Sequence, residues 1–104
     1  MLNVEIATEG YELTDDLRQR VVDKFGALGN YMRGLEQVHV SFAWSGGKGE
    51  RTSVRAQADG GGHRFEASAT EWKAMTALDK TQHELETQIR REKFKEIDKR
   101  DHRG

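Results

Sequence analysis

The chain has 104 residues and a mass of 11.9 kDa, so we expect one compact domain and no second one. Its 17 Lys and Arg residues against 18 Asp and Glu give a net charge of −1, which argues against a general polyanion binder. The absence of cysteine excludes disulfides and thiolate chemistry. Neither a signal peptide nor an apolar stretch long enough to span a bilayer is present, so we expect a cytoplasmic protein with no membrane partner.

The first half of the chain predicts a strand, a helix and a second strand. Val4 and Ile6 alternate with polar neighbours, as in a half-buried strand. Thr14 precedes two aspartates, a pattern typical of a capped helix start, and we expect that helix to end at Gly29-Asn30. Its apolar stripe consists of Leu17, Val21, Phe25 and Leu28, widened by Val22. The buried face of the second strand consists of Val38, Val40, Phe42 and Trp44.

The second half predicts a hairpin, two further strands and a long helix. Residues 45–49 (Ser-Gly-Gly-Lys-Gly) break the second strand as a flexible hairpin loop, and residues 59–62 form a tight turn between the third and fourth strands. Thr70 is predicted to cap the last helix, with Glu71 in its first turn. One face of that helix carries Met75, Leu78, Gln82, Leu85 and Ile89.

This order of elements predicts an α+β fold, β-α-β-β-β-α. Each helix has one apolar stripe and the sheet has one apolar face, so two helices packed on one face of a four-stranded sheet bury all three. The other face of the sheet would then meet water. We expect residues 1–95 to form this domain and residues 96–104 to be a charged, disordered tail, because the apolar periodicity fades after Ile89.

No arrangement of reactive side chains indicates catalysis. The four histidines are scattered, and none has a second ligand at the spacing that metal sites use. Residues 46–49 resemble a phosphate-binding loop only superficially, since a strand follows them rather than a helix. Asp15 and Asp16 lie where capping and the helix dipole already explain two carboxylates. We therefore expect a protein that is not an enzyme and has no cofactor, metal or small-molecule substrate.

Positive charge is concentrated near the C-terminal end. Residues 90–103 contain seven Lys or Arg and four acidic residues, a balance of +3, so the rest of the chain carries −4. On a helical wheel of about 100° per residue, Lys73, Lys80 and Arg91 share one stripe away from the apolar face, with Glu84 in its middle. The stripe is either a ridge that faces nucleic-acid phosphates or an ordinary solvated helix face, and the pattern leaves both interpretations open.

Four segments of the chain carry a resemblance to a known family. They are the first helix and its end, from Leu17-Arg18 to Tyr31 and Arg33; residues 35–40 (Leu-Glu-Gln-Val-His-Val); residues 65–69 (Phe-Glu-Ala-Ser-Ala); and residues 75–79 (Met-Thr-Ala-Leu-Asp). In this order they are similar to the first helix, the second strand, the strand before the last helix and the Met-Tyr-Ala-Ala-Ile-Asp signature of one family. Over about residues 2–95 the chain resembles the ribosome hibernation-promoting factor / ribosome-associated inhibitor family.

The resemblance implies a stress or stationary-phase factor without enzymatic activity. Such proteins bind the small ribosomal subunit in the channel of mRNA and the A- and P-site tRNAs, where basic helix surfaces contact rRNA backbone and block initiation. Long members add a C-terminal domain that pairs ribosomes, and this chain resembles the short type. The basic positions that match the family are Arg18, Lys24, Arg33, Arg91 and Lys93, and the helical stripe adds Lys73 and Lys80 as further RNA-binding candidates.

The chain departs from the family's pattern on its helices. Glu84 and Thr87 stand where the last helix usually has a lysine and often an arginine, and Ala27 stands where another lysine is frequent. Thr81 and Gln82 replace residues that the family commonly buries as apolar ones. Fewer cations predict fewer released counterions and therefore a shallower salt dependence of RNA binding.

The alternative hypothesis is a non-catalytic protein-interaction module. A divergent paralogue could pair with a partner, or with a second copy, through the open face of the sheet or an exposed edge strand. Glu84 and the acidic remainder of the chain favour this interpretation. A stable dimer in the absence of RNA would support it, whereas the ribosome-binding hypothesis predicts a monomer.

Overall fold

The structure is a computed structural model that describes residues 2–10, 12–45 and 51–101. Four strands and two helices follow one another in the predicted order, which confirms the α+β fold. They are β1 (Asn3–Glu9), α1 (Asp15–Gly26) with a 3₁₀ turn (Ala27–Asn30), β2 (Leu35–Ser45), β3 (Arg51–Gly60), β4 (His63–Glu71) and α2 (Ala74–Asp101).

The strands form one sheet in the order β1-β2-β3-β4. β1 and β2 are parallel because α1 crosses between them, whereas β3 and β4 follow as antiparallel neighbours. Ile6 lies opposite Val40, Val40 opposite Ala56, and Ala56 opposite Ala67. Because this row points to one face, the alternation of each strand places its apolar residues on the same side of the sheet.

Both helices cover that apolar face. α1 packs over β1 and β2, and α2 packs over β3 and β4. The largest fully buried side chains come from all parts of this layer: Val21, Phe25 and Leu28 after β1, Val38, Val40, Phe42 and Val54 from the sheet, and Leu78, Leu85 and Ile89 from α2. The open face of the sheet carries polar and charged residues instead, as the alternation predicts.

The start of α1 is confirmed in its details. The Thr14 hydroxyl accepts a hydrogen bond from the Leu17 backbone N–H at 3.2 Å, and Asp15 and Asp16 lie in the first turn, where the helix dipole favours negative charge. The α-helix ends at Gly26, earlier than expected, because the chain tightens into the 3₁₀ turn before it leaves the helix direction at Asn30.

The predicted start of the last helix is wrong. Thr70 does not cap it, because residues 70 and 71 continue β4: Thr70 lies opposite Ser53, with their hydroxyls 2.9 Å apart, and Glu71 lies opposite Thr52. α2 begins at Ala74, and the Lys73 carbonyl accepts the Ala77 N–H. Strand pairing over nine residues therefore outweighs a local capping signal.

The backbone of α2 continues to Asp101, into the segment expected to be a tail. Residues 92–101 are mostly Glu, Lys, Arg and Asp, and most of these types form helices well without burying apolar surface. The predicted turn between β3 and β4 is present, with Gly60, Gly61 and Gly62 all at positive φ. The Gly-rich hairpin loop predicted at 45–49 lies outside the described residues from position 46 onward.

Candidate nucleic-acid interface

The two helices lie side by side, and the groove between them changes character along its length. At one end, where α1 and α2 begin, a cleft is lined by Asp16, Gln19, Arg20, Asp23 and Met75. Two carboxylates and one guanidinium give this end a negative balance. At the other end, after the 3₁₀ turn, the groove opens beside the C-terminal half of α2 and its lining is positive.

This second opening, which we call the basic cleft, has a volume of about 430 Å³. It is lined by Asn30, Tyr31, Met32, Arg33, Gly34, Gly61, His63 and Lys93. Arg33 and Lys93 are exposed, and neither forms an ion pair with any residue that the structure describes. Two cations from chain segments 60 positions apart thus meet at one site, which is a suitable arrangement for binding a phosphate group.

Tyr31 connects the lining of the basic cleft to charged residues of α2. The Arg90 guanidinium carbon lies 5.7 Å from the centre of the Tyr31 ring, a cation–π contact. A hydrogen bond to the Glu86 carboxylate, together with the negative charge of that group, raises the pKa of the Tyr31 phenol, and Arg90 opposes this in part. Tyr31, which lines the basic cleft, therefore contacts both a cation and a carboxylate of α2.

His63 forms the floor of the basic cleft on the sheet side. Its ring stacks on Phe65 with centroids 5.8 Å apart and an interplanar angle of 19°. Its Nδ1 lies 3.9 Å from a carboxylate oxygen of Glu92 on α2. The Glu92 carboxylate lowers the positive charge on this side of the basic cleft, and Arg33 and Lys93 are the cations of its lining.

Two of the predicted RNA-binding lysines are already paired within the protein. Lys24 Nζ lies 2.8 Å from Asp79 Oδ1, a salt bridge that joins α1 to α2. Lys80 pairs with Glu71 at the end of β4. Both pairs are partly exposed, so they remain accessible to water, but each places a carboxylate next to a cation that was expected to meet rRNA.

The remaining candidates do not converge on the basic cleft. Arg91 and Lys93 are two residues apart and so lie about 200° apart around α2, on opposite flanks. Arg18 and Arg20 stand in the same relation on α1, and since Arg20 lines the groove between the helices, Arg18 points away from it. Lys73, exposed, precedes the first residue of α2. Of the seven predicted residues, the fold brings Arg33 and Lys93 together.

Sequence reasoning missed Arg90 and Tyr31 as members of this site. Arg90 was counted only within the basic segment, and Tyr31 only as part of a family resemblance. The pattern held one usable signal, because Glu86 and Arg90 are one helical turn apart and can share a partner. Which partner they share depends on how α2 packs beside the 3₁₀ turn, and that is a tertiary feature.

The described residues contain neither a cluster of metal-ligating side chains nor a helix able to span a membrane. No three His, Cys, Asp or Glu side chains among them lie close enough to hold a metal ion. Neither of the described helices has an apolar window that could cross a bilayer. The open face of the sheet carries close contacts between His39 and Glu5, Arg55 and Glu66, and Arg64 and Asp59.

Comparisons with known proteins identify the fold and the family of the chain. A ribosomal subunit interface protein from Coxiella burnetii has the same fold, with a TM-score of 0.76 at 22% identity over 89% of this chain and 98% of that one. The N-terminal domain of Thermus thermophilus Protein Y gives a TM-score of 0.70 at 25% identity over 86% and 97%. No curated protein sequence matches significantly. Residues 4–96 match the sequence profile of one family, and the chain therefore belongs to the sigma 54 modulation protein / S30EA ribosomal protein family.

Proposed function

We propose that this chain is a cytoplasmic, ribosome-associated translation inhibitor, a hibernation factor that binds the small ribosomal subunit in the channel of mRNA and tRNA. The observation that carries the proposal is the basic cleft, where Arg33 and Lys93 lie together without an internal counterion among the described residues. Family membership supports a ribosomal partner, and the Coxiella burnetii relative is named for the ribosomal subunit interface.

The proposed contact is electrostatic and does not read bases. Arg33 offers a planar fork of donors to a phosphate, and Lys93 offers a mobile point charge to the same or the next phosphate. Arg90 contacts Tyr31 of the cleft lining, where the Glu86 carboxylate also acts, so the proposal assigns the phosphate contact to Arg33 and Lys93. Occupation of the channel by the folded domain then excludes mRNA and tRNA sterically, so inhibition requires no catalytic group.

The first experiment is co-sedimentation of the protein with purified small subunits over a salt series. We expect binding at low salt that weakens as the salt concentration is raised. The slope of log K against log salt should be about −0.7 to −0.9 for each phosphate that the protein contacts. Prebound mRNA and tRNA should compete with the protein if it occupies their channel. Absence of binding at low salt, or binding that is indifferent to salt, contradicts the proposal.

Charge-reversal variants locate the contact. Arg33→Glu and Lys93→Glu should each weaken binding at low salt by about tenfold or more, since attraction to a phosphate becomes repulsion. The matched control is Lys95→Glu, which changes the net charge equally but lies about 200° from Lys93 around α2. Equal losses for Lys93→Glu and Lys95→Glu would mean that overall charge, not the basic cleft, governs binding.

The protein-interaction alternative receives less support from the structure. Three ion pairs lie on the open face of the sheet, and apart from Ala7 the exposed residues on this face of its described strands are polar, so it offers little apolar area to a partner. The outer edges of β1 and β4 are the places where strand addition could occur. Size-exclusion chromatography with light scattering tests this alternative: a stable dimer in the absence of RNA favours it, and a monomer favours ribosome binding.

A further inference from the structure

We propose that Trp72 is a stacking platform for a base of single-stranded RNA, at the end of the sheet where α2 begins. This contact goes beyond the proposed ribosomal site, because it lies at the opposite end of α2 from the basic cleft. From residue 73 to residue 93 the helix axis extends roughly 30 Å. The two sites can therefore be tested separately.

The state of the Trp72 side chain is the first observation. It is 66% exposed, although tryptophan in a small domain is usually buried for most of its surface. It follows directly after the last residue of β4, between the sheet and α2. A large aromatic ring left mostly in water offers a surface for stacking.

The second observation is the cation placed over that ring. The Arg51 guanidinium carbon lies 5.2 Å from the Trp72 ring centre. Arg51 is the first residue of β3, and the register puts it next to Thr52, which lies opposite Glu71. An indole that is 66% exposed and has a guanidinium over its ring can receive a base by stacking and the adjoining phosphate by charge.

The charges around Trp72 are complementary to RNA. Lys73, the next residue, is exposed and has no ion-pair partner among the described residues. Glu71, the residue before Trp72, forms an ion pair with Lys80, so its negative charge is neutralised within the protein. The hydroxyls of Ser53 and Thr70, 2.9 Å apart, are the other polar groups on this part of β3 and β4. Apart from the paired Glu71, the charged side chains that the structure describes next to the Trp72 ring are therefore the cations Arg51 and Lys73.

A protein partner fits these surroundings less well. Interface hot spots built on Trp and Arg are surrounded by apolar contacts that exclude water. The other exposed large apolar side chains of the described chain are not part of such a ring: Trp44 lies on the helix side of the sheet, Val22 on α1 and Phe94 near the far end of α2. One aromatic ring between cations matches the base-and-phosphate alternation of a nucleic-acid strand.

The test measures binding of a fluorescein-labelled, short oligoadenylate RNA to the full chain by anisotropy at low salt. Trp72→Leu should lower the affinity by about tenfold or more, which corresponds to the loss of one base-stacking contact. Trp72→Phe should restore part of it. Trp44→Phe is the matched control and should leave the affinity unchanged; because the chain has two tryptophans, it also leaves Trp72 as the sole indole, whose fluorescence RNA should quench.

Several results would overturn this proposal. Equal affinities for Trp72→Leu and the parent protein, or no quenching of Trp72 by bound RNA, show that no base stacks there. Equal Trp72-dependent binding of a duplex of the same length also contradicts it, since paired bases are not free to stack on a side chain. Thermal unfolding of each variant checks that the fold is retained. The basic-cleft variants of the preceding section should keep this oligonucleotide contact, so failure of either site leaves the other testable.

Discussion

The salt bridge between Lys24 and Asp79 allows a test of whether Lys24 contacts rRNA in the proposed ribosome complex. Asp79→Asn removes the carboxylate that neutralises Lys24 while keeping the size of the side chain. Lys24 Nζ and Asp79 Oδ1 are 2.8 Å apart, and both side chains are partly exposed, so loss of the pair should cost at most about 1 kcal/mol of folding stability. If Lys24 faces rRNA, the variant should bind small subunits more tightly than the parent protein.

The size of the gain follows from the geometry. A phosphate in contact with Lys24 at about 4 Å would lie about 7 Å from the Asp79 carboxylate. The repulsion between those two unit charges is about 0.6 kcal/mol in bulk water and about 2.4 kcal/mol at the effective dielectric constant of a protein surface. Removing it should raise the affinity about three- to fiftyfold at low salt. The gain should shrink near 0.1 M salt, where the Debye length is about 10 Å.

The assay is co-sedimentation with small subunits over a salt series, with Asp59→Asn as the matched control. That substitution breaks the Arg64–Asp59 pair, also 2.8 Å long, but on the open face of the sheet. It should leave the affinity within about twofold of the parent value, since only screened, long-range charge differs. Equal affinity of Asp79→Asn and the parent at low salt refutes the reasoning, because it means that Lys24 does not approach rRNA.

Two further predictions concern the turn and the basic cleft. Gly60→Ala should lower the free energy of unfolding by about 3 kcal/mol, because the φ of Gly60 is +148° and a Cβ would come within 2.3 Å of the Gly34 carbonyl oxygen. At Gly62 a Cβ would meet open space, so Gly62→Ala should cost about 1 to 2 kcal/mol, from its φ alone. Equal losses of stability for the two variants in urea unfolding would contradict this reasoning. In a Tyr11→Phe background, Tyr31 should titrate above 10.0 by phenolate absorbance, and Glu86→Gln should return its pKa toward 10.0. Because the pKa of Tyr31 is higher in the folded state, the stability that this group contributes is present below pH 10.0 and is lost as pH rises through the folded-state pKa. If Tyr31 titrates at 10.0 in the Tyr11→Phe background, the Glu86 contact is rejected.

The elements of this fold were predictable because each has a strong periodic signal. Thr14 and the stripe from Leu17 to Leu28 define α1, and the alternation of β2 and β3 survives in their register. Boundaries were harder, since competing local signals occur at the same residues. Thr70 and Glu71 suit a helix start as well as the end of a strand, and pairing with β3 decides between them.

Burial at the ends of the sheet was also less predictable than in its middle. Trp44 lies on the same face of β2 as Val40 and Phe42, opposite Thr52, and was expected to be buried. It is 45% exposed, because the strand extends past the residues that the helices cover. Thr81 shows the reverse. It is fully buried, and its hydroxyl donates to the Ala77 carbonyl at 2.8 Å, so a polar residue occupies an apolar position without an unsatisfied group.

The candidate site was the least predictable part, because charge periodicity gives directions around one helix and not neighbours on another. A wheel places Lys73, Lys80 and Arg91 on one stripe, and it equally places Lys93 on the other flank. That Lys93 meets Arg33, and that Lys24 meets Asp79, depends on how two helices 50 to 60 positions apart in the chain pack together.

The acidic partners of Lys24 and Lys80 bear on how a nearly neutral chain could bind RNA at a defined place, as proposed above. Asp79 and Glu71 pair with Lys24 and Lys80 near the start of α2, while Arg33 and Lys93 in the basic cleft have no ion-pair partner among the described residues. In the proposed rRNA contact, binding energy would be confined to the uncompensated cations, and a misplaced phosphate would meet a carboxylate within a few ångströms of Lys24 or Lys80. The acids would then reduce affinity but fix the position of the protein on its partner, since specificity is a difference between the favoured and the disfavoured poses. On this reasoning Asp79→Asn should gain affinity and lose discrimination together, which competition by non-ribosomal RNA measures directly.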